Sequence, residues 1–506
     1  MKQLMVSFKG FTPPEEILTA VRQGDIGTFC LFTYQNVASP AQLRELSMTL
    51  RKAAEEGGNP PPLIGIDQEG GQLIAIAGGA TELPGNMALG ATRSAELAEK
   101  AGRVLGRELL AMGVNLNFAP SLDVNINPDN PVVGIRSFGD DPALVAELGI
   151  AQIRGMQAEG VVATAKHFPG HGDTGVDSHH EAPIVEHSLN RMHSIELLPF
   201  QAAIEAGVAA VMTSHILFTA VDDQKPATLS SKILTGLLRE QMGFDGLIIS
   251  DAMDMYAVAR YGWQESVQAA LEAGNDLVLL GHLPNQMELS QRLRHLTYPA
   301  AEARILKVRQ ASPATLPPLS VVGCAEHQAI AQEIADRSIT LVRDNGVLPL
   351  RPSADTQIVA VTIRPTDLTP ADTSSQVAMT LGSALQKRHP LVKTLEISYH
   401  ASEQEIADIL AATCDADILI IGTINAEQDP QQGELVRAIW GRGQRPIVIA
   451  MRTPYDLASF PMIETYLCAY GIRDVTTEAI AKVLFGEIGA TGILPCAIPG
   501  MMASGG

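Results

Sequence analysis

VVATAKHFPGHGDTGVDSHHEAP (residues 161–183) opens as one kind of structure and closes as another. The apolar run 161–165 has the length and branched content of a buried strand. Pro169, Gly170, Gly172 and Gly175 then rule out continuation as helix or strand. Into the loop that follows the chain puts Lys166, His167, His171, Asp173, Asp177, His179, His180 and Glu181. An acid- and base-rich loop leaving the end of a buried strand is where α/β enzymes keep their working groups.

The same grammar recurs on both sides. Short apolar runs at 4–8, 26–32, 63–66, 115–119, 161–165, 209–214, 246–250 and 276–280 alternate with amphipathic stretches such as SPAQLRELSMTLRKAAEEG and DPALVAELGIAQIRGMQAEG. Apolar residues in these stretches return every three or four positions, behind Ser, Asp or Pro starts. Eight strand–helix units in about 300 residues predict an N-terminal (β/α)8 TIM barrel. An open doubly wound sheet is the alternative, and eight consecutive units favour closure. Asp67, Asp123, Lys166 with His167, Ser214 with His215, and Asp251 all fall at the C-terminal ends of predicted strands. In a closed parallel barrel those ends meet at one face.

RQASPATLPPLSVVG (309–323) lacks periodicity and reads as a linker. Beyond it AEHQAIAQEIADRSITLV predicts a helix, and strand-like runs follow at 357–363, 417–423, 446–451 and 464–470. The expected layout is a barrel over 1–312, a connector over 313–323 and a smaller α/β sandwich over 324–506.

The formal net charge of −20, from 36 basic and 56 acidic side chains, repels phosphate backbones and anionic lipid. Nucleic acid and membrane partners are therefore not expected, and no run approaches the roughly 18 apolar residues of a membrane span. The N-terminus has no apolar stretch of signal-peptide length, and five scattered cysteines point to a reducing compartment. The cytoplasm is the expected location.

Two places can do acid–base or nucleophilic work. Asp251 closes the apolar strand of GLIISDAMDM, where burial of a carboxylate is costly unless it is paired or working; the plain alternative is an N-cap for AMDMYAVA. His179 stands two residues after Asp177, and a neighbouring carboxylate can orient an imidazole and hold its charge. Six of the 12 histidines lie between 167 and 193, which weakens the reading of each as a solvated loop residue. A metal set from His167, His171, Asp173 and His179 is opposed by the adjacent Lys166 and by Pro169 and Gly170, which break helical spacing. Asp67 and Glu69 of IDQEGG suit sugar hydroxyls, which are donors, and Arg136 of GIRSFGDDP suits sugar oxygens or else a tethering salt bridge.

Together IDQEGG, NFAPSLDV, GIRSFGDDP, KHFPGHGDTGVDSH, PATLS and GFDGLIISDAMDM resemble the N-acetylglucosaminidases of glycoside hydrolase family 3. SITLVRDNGVLPL (338–350) and LFGEIGATGILP (484–495) resemble that family's longer members. The resemblance implies a retaining, exo-acting enzyme that removes terminal β-linked N-acetylglucosamine from cell-wall or chitin-type oligosaccharides, a peptidoglycan-recycling role among them. It implies Asp251 as nucleophile, His179 as acid/base with Asp177 as its partner, and Asp67, Arg136, Lys166 and His167 as sugar-binding residues. It implies no metal and no organic cofactor. A β-N-acetylglucosaminide phosphorylase or a β-glucosidase on the same scaffold, and a non-catalytic carbohydrate-binding protein, are the competing readings. Oligomeric state has no signal in the sequence. One departure stands out: the basic residue usual after the DQEGG motif is Gln72 here, followed by the apolar stretch 73–77.

Overall fold

The computed structural model describes residues 2–178 and 181–505. Eight parallel strands make the first sheet: β1 (Leu4–Met5), β2 (Thr28–Cys30), β3 (Leu63–Ile66), β4 (Leu116–Asn117), β5 (Val162–Phe168), β6 (Ala210–Thr213), β7 (Leu247–Ile249) and β8 (Val278–Leu279). Neighbours from β2 to β7 pair in chain order, and β1 pairs with β8, Leu4 opposite Val278. Single bridges, Val6 to Phe29 and Ile249 to Leu277, join β1 to β2 and β7 to β8. The sheet therefore closes on itself as a (β/α)8 barrel.

Closure places inward side chains such as Met5, Cys30, Leu63, Phe118, Met212 and Leu247 in one apolar cluster. Gly65 is needed there, because a Cβ would stand 2.6 Å from the Phe118 ring. The outer helices begin where polar caps occur. Ser39 accepts from Gln42 N, Ser94 from Leu97 N and Asp141 from Ala143 N, each satisfying an otherwise unpaired first-turn donor.

A second, six-stranded sheet is built from β9 (Thr340–Arg343), β10 (Ile358–Ile363), β11 (Val392–Ile397), β12 (Ile418–Thr423), β13 (Ile447–Ala450) and β14 (Thr465–Cys468), in the order β9-β14-β13-β12-β10-β11. Only β9 runs antiparallel. The helix expected over AEHQAIAQEIADRSITLV stops at Ser338, and Thr340–Arg343 turns into that antiparallel edge strand. The stretch expected as linker from 309 starts later: Arg309 and Gln310 end the helix Pro299–Gln310, with the Arg309 side chain donating to the Pro60 and Pro61 carbonyls.

The two sheets meet through loops. The loop after β10 reaches the barrel at Thr373, whose N–H donates to Gln72 O at 2.9 Å. The loop after β13 brings Tyr455 to Asn125, 2.8 Å apart. These contacts set the second domain over the face where the barrel strands end. No helix among the described residues is long and apolar enough to cross a membrane.

Candidate active site

At the C-terminal mouth of the barrel lies a cavity of about 470 Å³, lined by Asp67, Arg136, Lys166, His167, His171, Ser178, Asp251, Asp254 and, from the second domain, residues 370–373. Residues more than seventy positions apart thus border one hollow of sugar size.

Its floor is a buried ionic network. β5 does not stop at Ala165 as the apolar pattern predicts. It continues through Phe168 with a register shift between Ala165 and Phe168, which re-aims Lys166 and His167 while they remain in the strand. Lys166 Nζ donates to Asp67 Oδ1 at 2.8 Å and lies 2.6 Å from Glu69 Oε1. Arg136, from the short turn Gly134–Arg136, grips Glu69 with Nε at 3.0 Å and Nη2 at 2.7 Å. Burial alone would raise the Glu69 carboxyl, but Arg136 and Lys166 outweigh it and hold it at about 2. Burial would likewise lower Lys166, yet Asp67 and Glu69 raise it above the ordinary lysine range. Both cations stay charged at neutral pH, with Arg136 tethered as well as facing the cavity.

A second knot fixes the histidines. His167 Nδ1 lies 2.7 Å from Asp123 Oδ2, and Asp123 Oδ1 accepts the backbone N–H of His171 at 2.6 Å. His171 Nδ1 lies 2.8 Å from Thr174 Oγ1, and Nε2 lies 3.2 Å from Ser178 Oγ. Burial pushes the His171 imidazole down to about 4, with Asp123 opposing, so it is neutral at pH 7. Neutral, hydrogen-bonded His171 is a brace for the loop that bears Asp177. Asp173 is held further out, 2.7 Å from His187 Nε2 and 3.0 Å from Arg191 Nη2. Asp173, His187 and Glu196 come close enough together to suit a metal ion, but the positive charge between Asp173 and Glu196 is already Arg191.

Asp251 follows β7. Its Oδ1 accepts from Ala252 N at 2.8 Å, and the next helix, Tyr256–Ala259, begins behind Met255, so Asp251 is not that helix's cap. Asp177 is buried, and the adjacent Ser178 carbonyl accepts from Ala257 N at 3.4 Å, bringing the loop to the segment after Asp251. His179 lies outside the described residues. The structure thus brings together Asp67, Arg136, Lys166, His167 and Asp251 around one cavity, with Asp177 beside it. Three contributors were undervalued by sequence reasoning. Glu69 and Asp123 are the anchors of the two knots, and both were visible as carboxylates at strand ends. The 370–373 wall gave no signal, since PADT reads as an ordinary turn.

The family profile described as Glycosyl hydrolase family 3 N terminal domain matches residues 1–306. The chain belongs to glycosyl hydrolase family 3. Within that family it is 32% identical to Beta-hexosaminidase A of Pseudoalteromonas piscicida, over 96% of this chain and 92% of that one. A Beta-hexosaminidase of Thiobacillus denitrificans is 37% identical over 65% of this chain and 91% of its own. Among solved structures, a glycoside hydrolase family 3 beta-N-acetylglucosaminidase from Paenibacillus sp. str. FPU-7 superposes with a TM-score of 0.91 at 36% identity, covering 98% of this chain and 97% of that one. A glycosidase of this family acts on carbohydrate, in keeping with a cavity whose charged floor can hold sugar hydroxyls.

Proposed function

We propose that this chain hydrolyses terminal β-linked N-acetylglucosamine with retention, through a glycosyl ester on Asp251. The observation that carries the reading is that Asp251 and the 166–178 segment border the same cavity. Asp251 attacks the anomeric carbon while His179, as imidazolium oriented by Asp177, protonates the departing oxygen. Neutral His179 then takes a proton from water, which releases the ester. Asp67 and Glu69 keep Lys166 charged beside the sugar hydroxyls, while His167 and Arg136 shape the pocket around them. Gly172 lets the loop at 170–175 pass against Val124 O, and the His171–Thr174–Ser178 brace holds the segment that carries the acid/base. In this reading the catalytic unit is 1–312, 313–323 connects it, and 324–506 forms a companion domain that completes the cavity. A cytoplasmic location belongs to the same reading.

Aryl β-N-acetylglucosaminide turnover followed by proton NMR should show the β-anomer released first, and Asp251→Asn should lower kcat by at least about 10⁴-fold. His179→Ala should hurt substrates with poor leaving groups far more than activated aryl glycosides, which need no protonation. First appearance of the α-anomer, or undiminished turnover by Asp251→Asn, would refute the scheme. Acceleration by phosphate with release of a sugar 1-phosphate would instead identify a phosphorylase.

A further inference from the structure

The lining of the cavity has two parts. The floor is buried: Arg136 is 5% exposed, Lys166 1% and His167 6%. The rim is formed by Thr33, Tyr34, Gln35 and His282, all partly or largely exposed, on one side and by 370–373 of the second domain, of which Asp372 and Thr373 are buried, on the other. An exo-acting site holds the terminal sugar where the polar groups converge, so the remainder of the substrate must leave across this rim. From that geometry we infer that the leaving group is received between the two domains, on the Tyr34 ring and the 370–373 wall, and that this mouth selects an uncharged sugar over one bearing a carboxylate. The inference rests on the N-acetylglucosaminidase reading above.

Tyr34 leaves 69% of its surface exposed where it borders the cavity. Its hydroxyl donates to Asp367 Oδ2 of the second domain at 3.3 Å, which steadies the ring across the domain junction. An aromatic face fixed at a pocket mouth offers the flat apolar surface on which the C–H face of a pyranose packs.

The opposite wall is sewn in place at Gln72. Gln72 O accepts from Thr373 N at 2.9 Å and from Thr373 Oγ1 at 3.0 Å, and Gln72 Nε2 donates to Ala371 O at 3.1 Å. Arg452 reaches in from the loop after β13, with Nη2 on Gln72 Oε1 and Nη1 on Asp372 Oδ2 at 2.7 Å. The guanidinium therefore serves the wall from behind and does not line the cavity.

Charge at the site decides the class of leaving group. Among the described lining residues the carboxylates are Asp67, Asp251, Asp254 and Asp372, and the lysine and arginine are Lys166 and Arg136. Both of these cations are already in ion pairs with Asp67 or Glu69 on the floor. Beyond the hydrogen-bonded Gln35 and His282 side chains, the neighbouring hollow carries Lys9 together with Glu16 and Glu288. Asp67 and Asp372 are likewise neutralised, by Lys166 and Arg452, so the charge that a carboxylate on the departing sugar would meet is that of Asp254 at the mouth and of Glu16 and Glu288, which outnumber Lys9 in the neighbouring hollow, a repulsion that disfavours the wrong partner. A neutral sugar, as in a chitin-type oligosaccharide, meets the Tyr34 ring and the wall without that cost.

The test compares kcat/KM for three compounds: β-N-acetylglucosaminyl fluoride, whose leaving group is not a sugar; N,N′-diacetylchitobiose; and a disaccharide of the same linkage whose reducing sugar carries an O-lactyl carboxylate. The neutral disaccharide should be preferred over the carboxylate one by about tenfold at low ionic strength, with the gap narrowing as salt is added. Tyr34→Ala should lower the ratio of chitobiose to fluoride kcat/KM about tenfold, and Tyr34→Phe should keep it within about twofold. A ratio is insensitive to the fraction of enzyme that folds. Equal or better use of the carboxylate disaccharide, or an unchanged ratio in Tyr34→Ala, would overturn the leaving-group site while leaving the glycosidase reading intact. No release of fluoride from the first compound would overturn the glycosidase reading itself, and this inference with it.

Discussion

Glu69 shows how much of the site depends on one carboxylate. It binds Arg136 through two bonds and Lys166 through a third, and all three groups are buried. Removing the charge from such a cluster leaves two cations short of their counter-charge, which costs more than the pair ever contributed. Glu69→Gln should lose about 3 kcal/mol of unfolding free energy in denaturant titrations and should raise KM for N-acetylglucosaminides as Lys166 and Arg136 shift. The same floor predicts acid lability. His171 titrates at about 4 in the folded chain, below its ordinary 6.5, so the unfolded chain binds more protons between those values. Stability should therefore fall as pH drops from 6.5 toward 4, by on the order of 3 kcal/mol. Glu69, held at about 2 against an ordinary 4.5, adds a loss that begins below 4.5. Denaturation midpoints measured between pH 7 and 4 check the sign, and His171→Gln should flatten the upper part of the slope. At this scale the sequence displayed every polar residue, but only as isolated letters at strand ends. Which carboxylate pairs with which cation depends on strands brought side by side, so Asp123 and Glu69 could not be ranked as anchors.

Most elements of the barrel were legible because their strands are buried and read as short apolar runs, as at 63–66 or 246–250. The strands that escaped notice are edges. Val392–Ile397 exposes Lys393, Thr394 and Glu396 to varying degrees and has no apolar run to announce it, and Thr340–Arg343 is a short bulged strand following a helix whose periodicity runs into it. The bulge in β5 was also invisible, since a register shift leaves no compositional mark. The loop after it is tightly constrained at Gly172, where a Cβ would come within 1.8 Å of Val124 O. Gly172→Ala must displace backbone, and with it the His171–Thr174–Ser178 brace. Turnover of N-acetylglucosaminides should drop at least about tenfold while thermal stability falls by a few degrees, read by kinetics and calorimetry on the same preparation.

For the molecule as a whole, the division into a barrel and an α/β sandwich followed from the break in periodicity near 310. The way the two halves face each other did not, because Thr373 and Arg452 lie 301 and 380 positions from Gln72 and no local pattern links them to it. The junction has a second anchor away from the cavity. Glu108, on a barrel helix, accepts from Thr81 N and Oγ1, from Gly323 N, and lies 2.7 Å from His327 Nδ1 of the second domain. Glu108→Ala should destabilise the chain by about 2–4 kcal/mol, since several buried donors lose their acceptor at once. Scanning calorimetry should register the loss in the full-length protein.

All of this serves one chemical claim, that Asp251 forms a covalent bond to the sugar. Mass spectrometry of peptic peptides, taken from protein acid-quenched during turnover of an activated aryl β-N-acetylglucosaminide, tests it most directly. An N-acetylhexosamine adduct is expected on the peptide containing Asp251 and none in Asp251→Asn. An adduct on a different side chain, or turnover with no adduct under conditions where release of the ester limits the rate, would contradict it.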